Sequence, residues 1–306
     1  MPELPDITVY VERIADKVVG TRLEAIRLAS PFVLRTFDPK VAEVTGKSVR
    51  EIRRLGKRIV FVLEDDLFVV VHLMVAGRFE WTDQKGAKIP GKIGLLALDF
   101  ERGSLLLREA SSKKRASIHL VRGEAKLRED HDRGGVEPLA ADRAAFVEVL
   151  RRENHTLKRT LTDPRLFSGI GNAYSDEILH AAKLSPVRMS TKLDDAEIDR
   201  LRAATFAILE RFTEALRKES LVKGFPEKVT AFREDMAVHG KYGKACPVCG
   251  DPVQRIAYAD NETNYCATCQ TGGKLLADRS LSRLMKEDWP RSLEELEEKK
   301  AVLKGR

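Results

Sequence analysis

Cys246-Pro247-Val248-Cys249 and Cys266-Ala267-Thr268-Cys269, with sixteen residues between them, contain every cysteine of this 306-residue chain. A two-residue gap lets both thiolates of a pair reach one metal ion, and the two pairs have the spacing of two knuckles closing a tetrahedral zinc site. Four sulfurs fill the shell and leave no position for a catalytic water. One structural Zn2+ is therefore expected on Cys246, Cys249, Cys266 and Cys269, holding a hairpin and doing no chemistry. The competing disulfide reading is poor, because the N-terminus carries no basic segment followed by an apolar core and so reads as lacking an export signal. No run approaches the roughly 18 apolar residues of a membrane span, so the chain reads as cytosolic, with no membrane partner.

Ahead of the finger the hydrophobic period is helical. From Asp142 to about Lys218, Phe146, Val149 and Leu150 share one face and Leu201, Ile208, Phe212 and Leu216 another. The second of these helices opens at Asp194, with Glu197 three residues on. Between them stands Ser168-Gly169-Ile170-Gly171-Asn172-Ala173-Tyr174. Glycines just before a helix let its free amides approach a phosphate, Asn172 adds a side-chain donor, and Lys158 lies upstream. A glycine pair alone more often marks a tight turn.

Residues 20 to 125 read as strands. Arg58 to Leu63 and Leu67 to Leu73 flank Glu64-Asp65-Asp66, and Leu95 to Phe100 and Ser104 to Arg108 flank Glu101-Arg102-Gly103. An antiparallel sandwich or barrel fits this pattern. Gly134-Gly135-Val136-Glu137-Pro138-Leu139 punctuates its exit as a linker. At the start, Ile7, Tyr10, Val11, Ile14 and Val18 fall at helical spacing, with Asp6 placed at the positive end of the helix.

That helix holds Met1-Pro2-Glu3-Leu4-Pro5-Asp6. Removal of Met1 would leave Pro2 as a secondary amine beside Glu3. An α-amino group, with a reference pKa of about 7.7–8.0, is partly unprotonated near neutral pH. A secondary amine attacking an aldehyde-like sugar carbon gives an iminium, an electron sink, and a neighbouring carboxylate can move the protons. Many chains start Met-Pro with no chemistry at all, so this pair needs support from elsewhere. The net charge of +7 suggests a polyanionic partner only where cations cluster, as in Arg50 to Arg58, Lys113-Lys114-Arg115, and Arg151-Arg152 leading to Lys158-Arg159.

Taken together, Pro2-Glu3-Leu4-Pro5, Glu137-Pro138-Leu139, Gly169-Ile170-Gly171-Asn172-Ala173-Tyr174, His239-Gly240-Lys241 and the four-cysteine finger resemble the formamidopyrimidine/endonuclease-eight family of base-excision DNA glycosylases. The resemblance runs from residue 2 to about 270. It implies an α+β multidomain fold: a β-sandwich with an N-terminal helix over 1–133, a linker over 134–141, a helix–two-turn–helix domain over 142–235, a zinc finger over 236–271 and a helical extension over 272–306. It also implies a monomer in a bacterial-type cytosol or nucleoid, bound to DNA that carries damaged bases or abasic sites and held between the domains. The implied activity is that of a bifunctional glycosylase and abasic-site lyase: Pro2 attacks C1′, Glu3 protonates the sugar and shuttles protons, and Lys57 lies near the sugar-phosphate. Lys158, Gly171 and Asn172 correspond to the phosphate grip of the helical domain. Apart from the structural zinc, no cofactor is implied.

Three departures concern recognition more than chemistry. Asn261 stands where the family usually has a phosphate-pinning arginine five residues before the third cysteine, with Arg255 and Lys274 as nearby cations. Ser111-Ser112-Lys113-Lys114-Arg115-Ala116 replaces a loop that normally carries an orphan-base arginine and an aromatic wedge, leaving Lys113 and Arg115 as its DNA-binding candidates. Val75 takes the place of the inserting methionine, with Met74 and Leu73 alongside, and Asp6 stands where a glutamate is usual. Beyond the finger, Leu281, Leu284 and Met285 and then Leu293 to Leu303 read as amphipathic helices, more simply a cover for the protein's own surface than a partner site. A non-catalytic damage-binding protein on the same scaffold is the alternative; retention of Pro2, Glu3 and Lys57 favours the enzyme, since binding alone needs none of them.

Overall fold

Helix α1 (Leu4–Val18) buries Leu4, Ile7, Tyr10, Ile14 and Val18 along one face, each at most 1% exposed. Pro5 in its first turn lacks only an N–H that a helix start leaves unused, and Asp6 complements the dipole. The computed structural model to which α1 belongs describes residues 1–226, 229, 233–258, 261–277 and 290–304. Two compact units make up the chain: Met1–Gly135 with Glu210–Ala231, and Val136–Leu209 with Phe232–Arg306.

In the first unit the strands are β1 (Leu23–Leu28), β2 (Val49–Leu55), β3 (Arg58–Leu63), β4 (Leu67–His72), β5 (Gly77–Thr82), β6 (Gly94–Phe100), β7 (Gly103–Glu109) and β8 (Ser117–Arg122), with a short helix α2 (Val41–Val44) between β1 and β2. They form two separate antiparallel sheets, ordered β1-β6-β7-β5 and β2-β3-β4-β8, so the sandwich is the alternative realised. Inward residues of both sheets share one core: Ile59, Phe61, Val69 and Val71 meet Phe79, Leu98, Phe100 and Leu107, with the Phe61 and Phe100 rings 6.2 Å apart. The alternate residues Val60, Val70 and Val121 form a second, smaller layer with Phe68 and with Leu127 of α3 (Glu124–His131). Period-two alternation buries both faces of this sheet because a helix covers the outer one.

The register fixes which loops share an edge. Arg58 pairs with His72 and His72 with Ser117. The Gly56-Lys57 turn, the loop 73–76 and the loop 110–116 therefore emerge at one end of the sheet.

The second unit holds α4 (Arg143–Arg152), capped by Asp142, whose carboxylate accepts the Ala145 N–H at 2.8 Å, then α5 (Leu157–Thr162), α6 (Asn172–Ala181) and the first half of α7 (Asp195–Lys223). Asp194 and Glu197 cap α7 reciprocally, as their spacing predicts: each accepts the other's backbone N–H, at 2.7 and 3.1 Å. The 134–141 stretch is more ordered than a linker. Val136 donates to the Leu166 carbonyl at 3.0 Å and accepts from Ser168 at 2.9 Å.

The finger is the hairpin β9 (Gln254–Tyr258) and β10 (Asn261–Tyr265), followed by α8 (Ala267–Thr271). In the extension, Leu281, Leu284 and Met285 lie outside the described residues, while residues 293–304 form helix α9 (Leu293–Lys304). Its Leu293 and Leu296 pack on Ile256, Tyr265, Ala267 and Leu275, so this helix covers the finger's own apolar face. Among the described residues no helix is long and apolar enough to cross a membrane.

Because Ile14 is fully buried between α1 and the sandwich, Ile14→Ala is expected to destabilise the first unit by about 2–5 kcal/mol in urea titrations.

Candidate functional site

The chemistry-bearing residues of the first unit gather around the start of α1. Pro2 is buried, and Glu3 and Asp6 are only 2% and 1% exposed. The Glu3 N–H donates to Asp6 Oδ2 at 2.8 Å, and the Glu3 carbonyl accepts from Ile7 at 2.9 Å, so the entry into the helix is fixed on both sides. Burial holds the N-terminal ammonium below its ordinary range; Glu3 and Asp6 oppose this, while Arg78 and Lys57 add to it. The fold thus brings Lys57, more than fifty residues along the chain and on a different element, into the electrostatic neighbourhood of the chain start. Arg78 is held by the carbonyls of Gly77 and Val75, at 2.6 and 3.2 Å.

Asp6 departs most from ordinary behaviour. Burial, reinforced by the charge of Glu3, pushes its carboxyl up to about 7 despite the hydrogen bond from the Glu3 N–H. Its Oδ1 is buried without a hydrogen-bond partner.

The loops on the same sheet end are built individually. Gly77 closes the 73–76 turn because a Cβ there would sit 2.3 Å from the Leu73 carbonyl oxygen. At its tip Met74 has a positive φ of 52° and Val75 is 58% exposed, whereas Leu73 is 1% exposed and belongs to the core. Val75 is therefore the residue this loop presents. The 110–116 loop is pinned by Glu109, itself 1% exposed, whose Oε2 accepts the N–H groups of Arg115 and Ala116 at 2.8 and 3.0 Å. This leaves the Lys113 and Arg115 side chains exposed. His72, which sequence reasoning passed over, is half-buried at the same sheet end and pushed down to about 4, by burial first and then by Arg58 and Lys57. Its signal was only its place ahead of the Leu73-Met74 turn.

In the second unit, α6 carries the other constellation. Lys158 is ion-paired with Asp176 and donates to the Asn172 carbonyl at 2.6 Å, so the predicted pair Lys158 and Asn172 does meet. Asn172 Nδ2 donates to the Glu262 carbonyl at 2.9 Å, and Gly171 caps the helix, its carbonyl accepting from Ser175 Oγ at 2.6 Å. Sequence reasoning missed Asp176, Glu177 and His180. They read as the polar face of a helix, yet each is at most 6% exposed. Asn261 opens β10 opposite Tyr258, with its side chain outside the described residues. Of its neighbours, Arg255 lies 4.4 Å from the Tyr242 ring centroid and pairs with Glu262 at 3.6 Å.

The four cysteine sulfurs all lie within 4.8 Å of one another, with Cys246–Cys269 at 3.9 Å and Cys249–Cys266 at 3.4 Å. Four thiols converging at this range fit the sulfur shell of one structural zinc ion. His180 Nε2 approaches Cys246 Sγ at 3.3 Å, an outer hydrogen bond of the kind that orients a metal ligand.

Comparison with known proteins agrees with this arrangement as far as the end of the finger. Residues 1–120 match the formamidopyrimidine-DNA glycosylase N-terminal domain, 135–223 its H2TH domain, and 243–272 the zinc finger found in FPG and IleRS. The formamidopyrimidine-DNA glycosylase of Heliobacterium modesticaldum is 30% identical over 278 residues, covering 88% of this chain and 100% of that protein. A Mycobacterium tuberculosis protein described as an uncharacterized formamidopyrimidine-DNA glycosylase-like protein is 45% identical over 130 residues, 42% of this chain and 80% of that one. Among solved structures, the MutM (FPG) protein of Thermus thermophilus aligns with a TM-score of 0.72 at 30% identity, over 88% of this chain and 98% of that chain. A Lactococcus lactis FPG variant in complex with Fapy-dG containing DNA aligns at 0.77 and 26% identity, over 88% of this chain and 100% of that chain. The class so defined is a DNA glycosylase of base excision repair. Within it, the chain belongs to the formamidopyrimidine-DNA glycosylase family.

Asp6 yields a pH test. Between pH about 4 and about 7 the unfolded chain ionises Asp6 while the folded chain keeps it protonated, so the folded state binds the extra proton and stability falls as pH rises through this window. Asp6→Asn keeps an acceptor for the Glu3 N–H and should gain on the wild type between about pH 4.5 and about pH 7.5 in urea titrations. An equal difference at both pH values would remove the shift. Cys249→Ser is expected to release zinc and unfold the finger, read by metal content and by amide exchange over residues 243–271.

Proposed function

We propose that this glycosylase is bifunctional, excising an oxidised or ring-opened base through the amine of Pro2 and then cleaving the strand. Once Met1 is removed, the Pro2 nitrogen attacks C1′ of the damaged nucleotide and the C1′–N bond breaks, the base leaving with the bonding pair and taking the proton that the Pro2 nitrogen gives up. Glu3 then delivers a proton to the ring oxygen, the C1′–O4′ bond breaks, and the open-chain sugar is held to Pro2 as an iminium. The iminium acidifies the C2′ proton; its removal expels the 3′ phosphate, and a second elimination expels the 5′ phosphate. Lys57 supplies positive charge beside the sugar-phosphate.

The observation that carries this reading is the buried, rigidly held start of α1, with Pro2, Glu3 and Asp6 enclosed and Lys57 within electrostatic reach of the chain terminus. A frayed end could not aim an amine, and a mere DNA binder gains nothing from burying acidic groups there. A buried amine loses charge stabilisation, so an amine held at this chain start is disposed toward its neutral, nucleophilic form.

DNA carrying a damaged base or an abasic site is the proposed partner; Lactococcus lactis relatives are bound to Fapy-dG containing DNA and to an AP site containing DNA. Reaching the glycosidic bond requires flipping the nucleotide, at a cost of a few kcal/mol. Contacts from Lys158, Asn172, the Gly171 helix start and Asn261 offset that cost without reading sequence, with Lys113 and Arg115 contributing from the first unit. Val75 is the aliphatic group offered to the vacated stack.

Borohydride should trap a covalent adduct between the Met1-processed protein and an oligonucleotide with one abasic site, and Pro2→Gly should diminish it. Glu3→Gln is expected to lower base release by about 10²–10⁴-fold while DNA binding persists. A protein that binds the abasic duplex but yields no adduct would be a damage-binding protein on this scaffold.

A further inference from the structure

Asn172, Asp176, Glu177 and His180 lie at i, i+4, i+5 and i+8 along α6, a stripe about 12 Å long, and every one of them reaches the finger or the segment leading into it. Asn172 holds the Glu262 carbonyl of β10. Asp176 Oδ2 accepts from His239 Nδ1 at 2.8 Å and from Asn264 Nδ2 at 3.4 Å. Glu177 accepts three consecutive backbone N–H groups, Ala237 at 2.7 Å and Val238 and His239 at 2.9 Å. His180 meets Cys246 Sγ at 3.3 Å. Asp176 is the pivot, because its other oxygen, Oδ1, holds Lys158.

We propose that α6 transmits the state of the zinc finger to the Lys158–Asn172 pair, with Asp176, Glu177 and His180 as positioning residues. The finger's fold depends on its metal, since the binding energy of a structural zinc is folding energy. With the finger folded, Asp176 is 1% exposed and the Lys158 side chain 14% exposed, and their ion pair sits in a poorly solvated site closed on one side by His239 and Asn264. With the finger unfolded, Asn172 and His180 lose their partners outright, Asp176 loses Asn264 and the support of the His239 segment that leads into the finger, and water reaches Asp176. A solvated ion pair contributes roughly 0–1 kcal/mol, too little to hold a lysine in one place. Asn172 loses the Glu262 carbonyl at the same time. Zinc occupancy thus sets both groups although neither touches the metal. The functional meaning of this coupling rests on the DNA-gripping role proposed for Lys158 and Asn172; the coupling itself does not.

Competitive acetylation of the full-length protein, read by mass spectrometry, tests it without DNA. In the zinc-loaded protein Lys158 should react slowly, and stripping the metal with a chelator should raise its rate about fivefold or more, the factor for about 1 kcal/mol of lost pairing. Exposed Lys183, on the same unit, is the internal reference and should not change. Zinc-loaded Glu177→Gln, with all four cysteines in place, should keep its metal by chromogenic chelator assay yet show a faster Lys158. A Lys158 rate that ignores metal removal overturns the proposal, and so does a stripped protein in which Lys183 accelerates equally, since the finger would then support the whole unit and not this pair. Binding of the zinc-loaded wild type to an abasic duplex is measured separately: its failure would sink the DNA-gripping role, while the labelling result still decides the coupling.

Discussion

Several carboxylates lie in this protein where an unpaired charge would be costly, and backbone N–H groups are what make their burial tolerable. Asp6 takes the N–H of Glu3, Glu109 takes those of Arg115 and Ala116, and Glu177 takes three in a row from residues 237 to 239. A buried charge is strongly disfavoured until such donors converge on it, and donors that converge are themselves immobilised. Each carboxylate therefore orders one segment: the chain start, the loop with Lys113 and Arg115, and the lead into the zinc finger. The surrounding cores supply the burial that gives these contacts their strength.

The same principle separates the two ends of the proposed chemistry. In the first unit, Asp6 near the terminus is incompletely satisfied: it keeps one oxygen without a partner and is pushed up to about 7. Proton traffic benefits from groups poised in this way. In the second unit the acidic groups of α6 are heavily bonded, as suits a scaffold that must hold a lysine and a helix start in register. The zinc site belongs to this second kind, with a closed sulfur shell whose outer partner, His180, comes from the same helix.

Loop chemistry marks where this chain departs from its relatives. With Leu73 in the core, Val75 alone is presented at the tip of its turn, and the neighbouring loop offers cations without an aromatic. Arg255, which the sequence offered as a substitute for the missing finger arginine, is engaged with Tyr242 and Glu262. These loops offer an aliphatic group and exposed cations, a combination suited to unstacking bases and weakly suited to reading an orphan base by hydrogen bonds.

Sequence alone determined what is local or strictly spaced. The cysteine pairs defined the metal, the period of Ile7 to Val18 gave α1, the Asp194 and Glu197 cap gave the start of α7, and strand alternation gave the sheets, because each signal is complete within a few residues of chain. The strand pattern by itself fitted either sandwich or barrel, since closure depends on which edges pair, and it was the family resemblance that implied the sandwich the fold shows. The tertiary structure decided the rest: that Lys57 acts on the chain start, that Leu73 is core, that the 134–141 stretch is hydrogen-bonded, and that Ser175-Asp176-Glu177 is buried. A polar residue on a helix looks the same in sequence whether water or a distant segment satisfies it. Only the fold supplies the N–H groups of residues 237 to 239 and the imidazole of His239, and with them the reason that Asp176 and Glu177 are carboxylates.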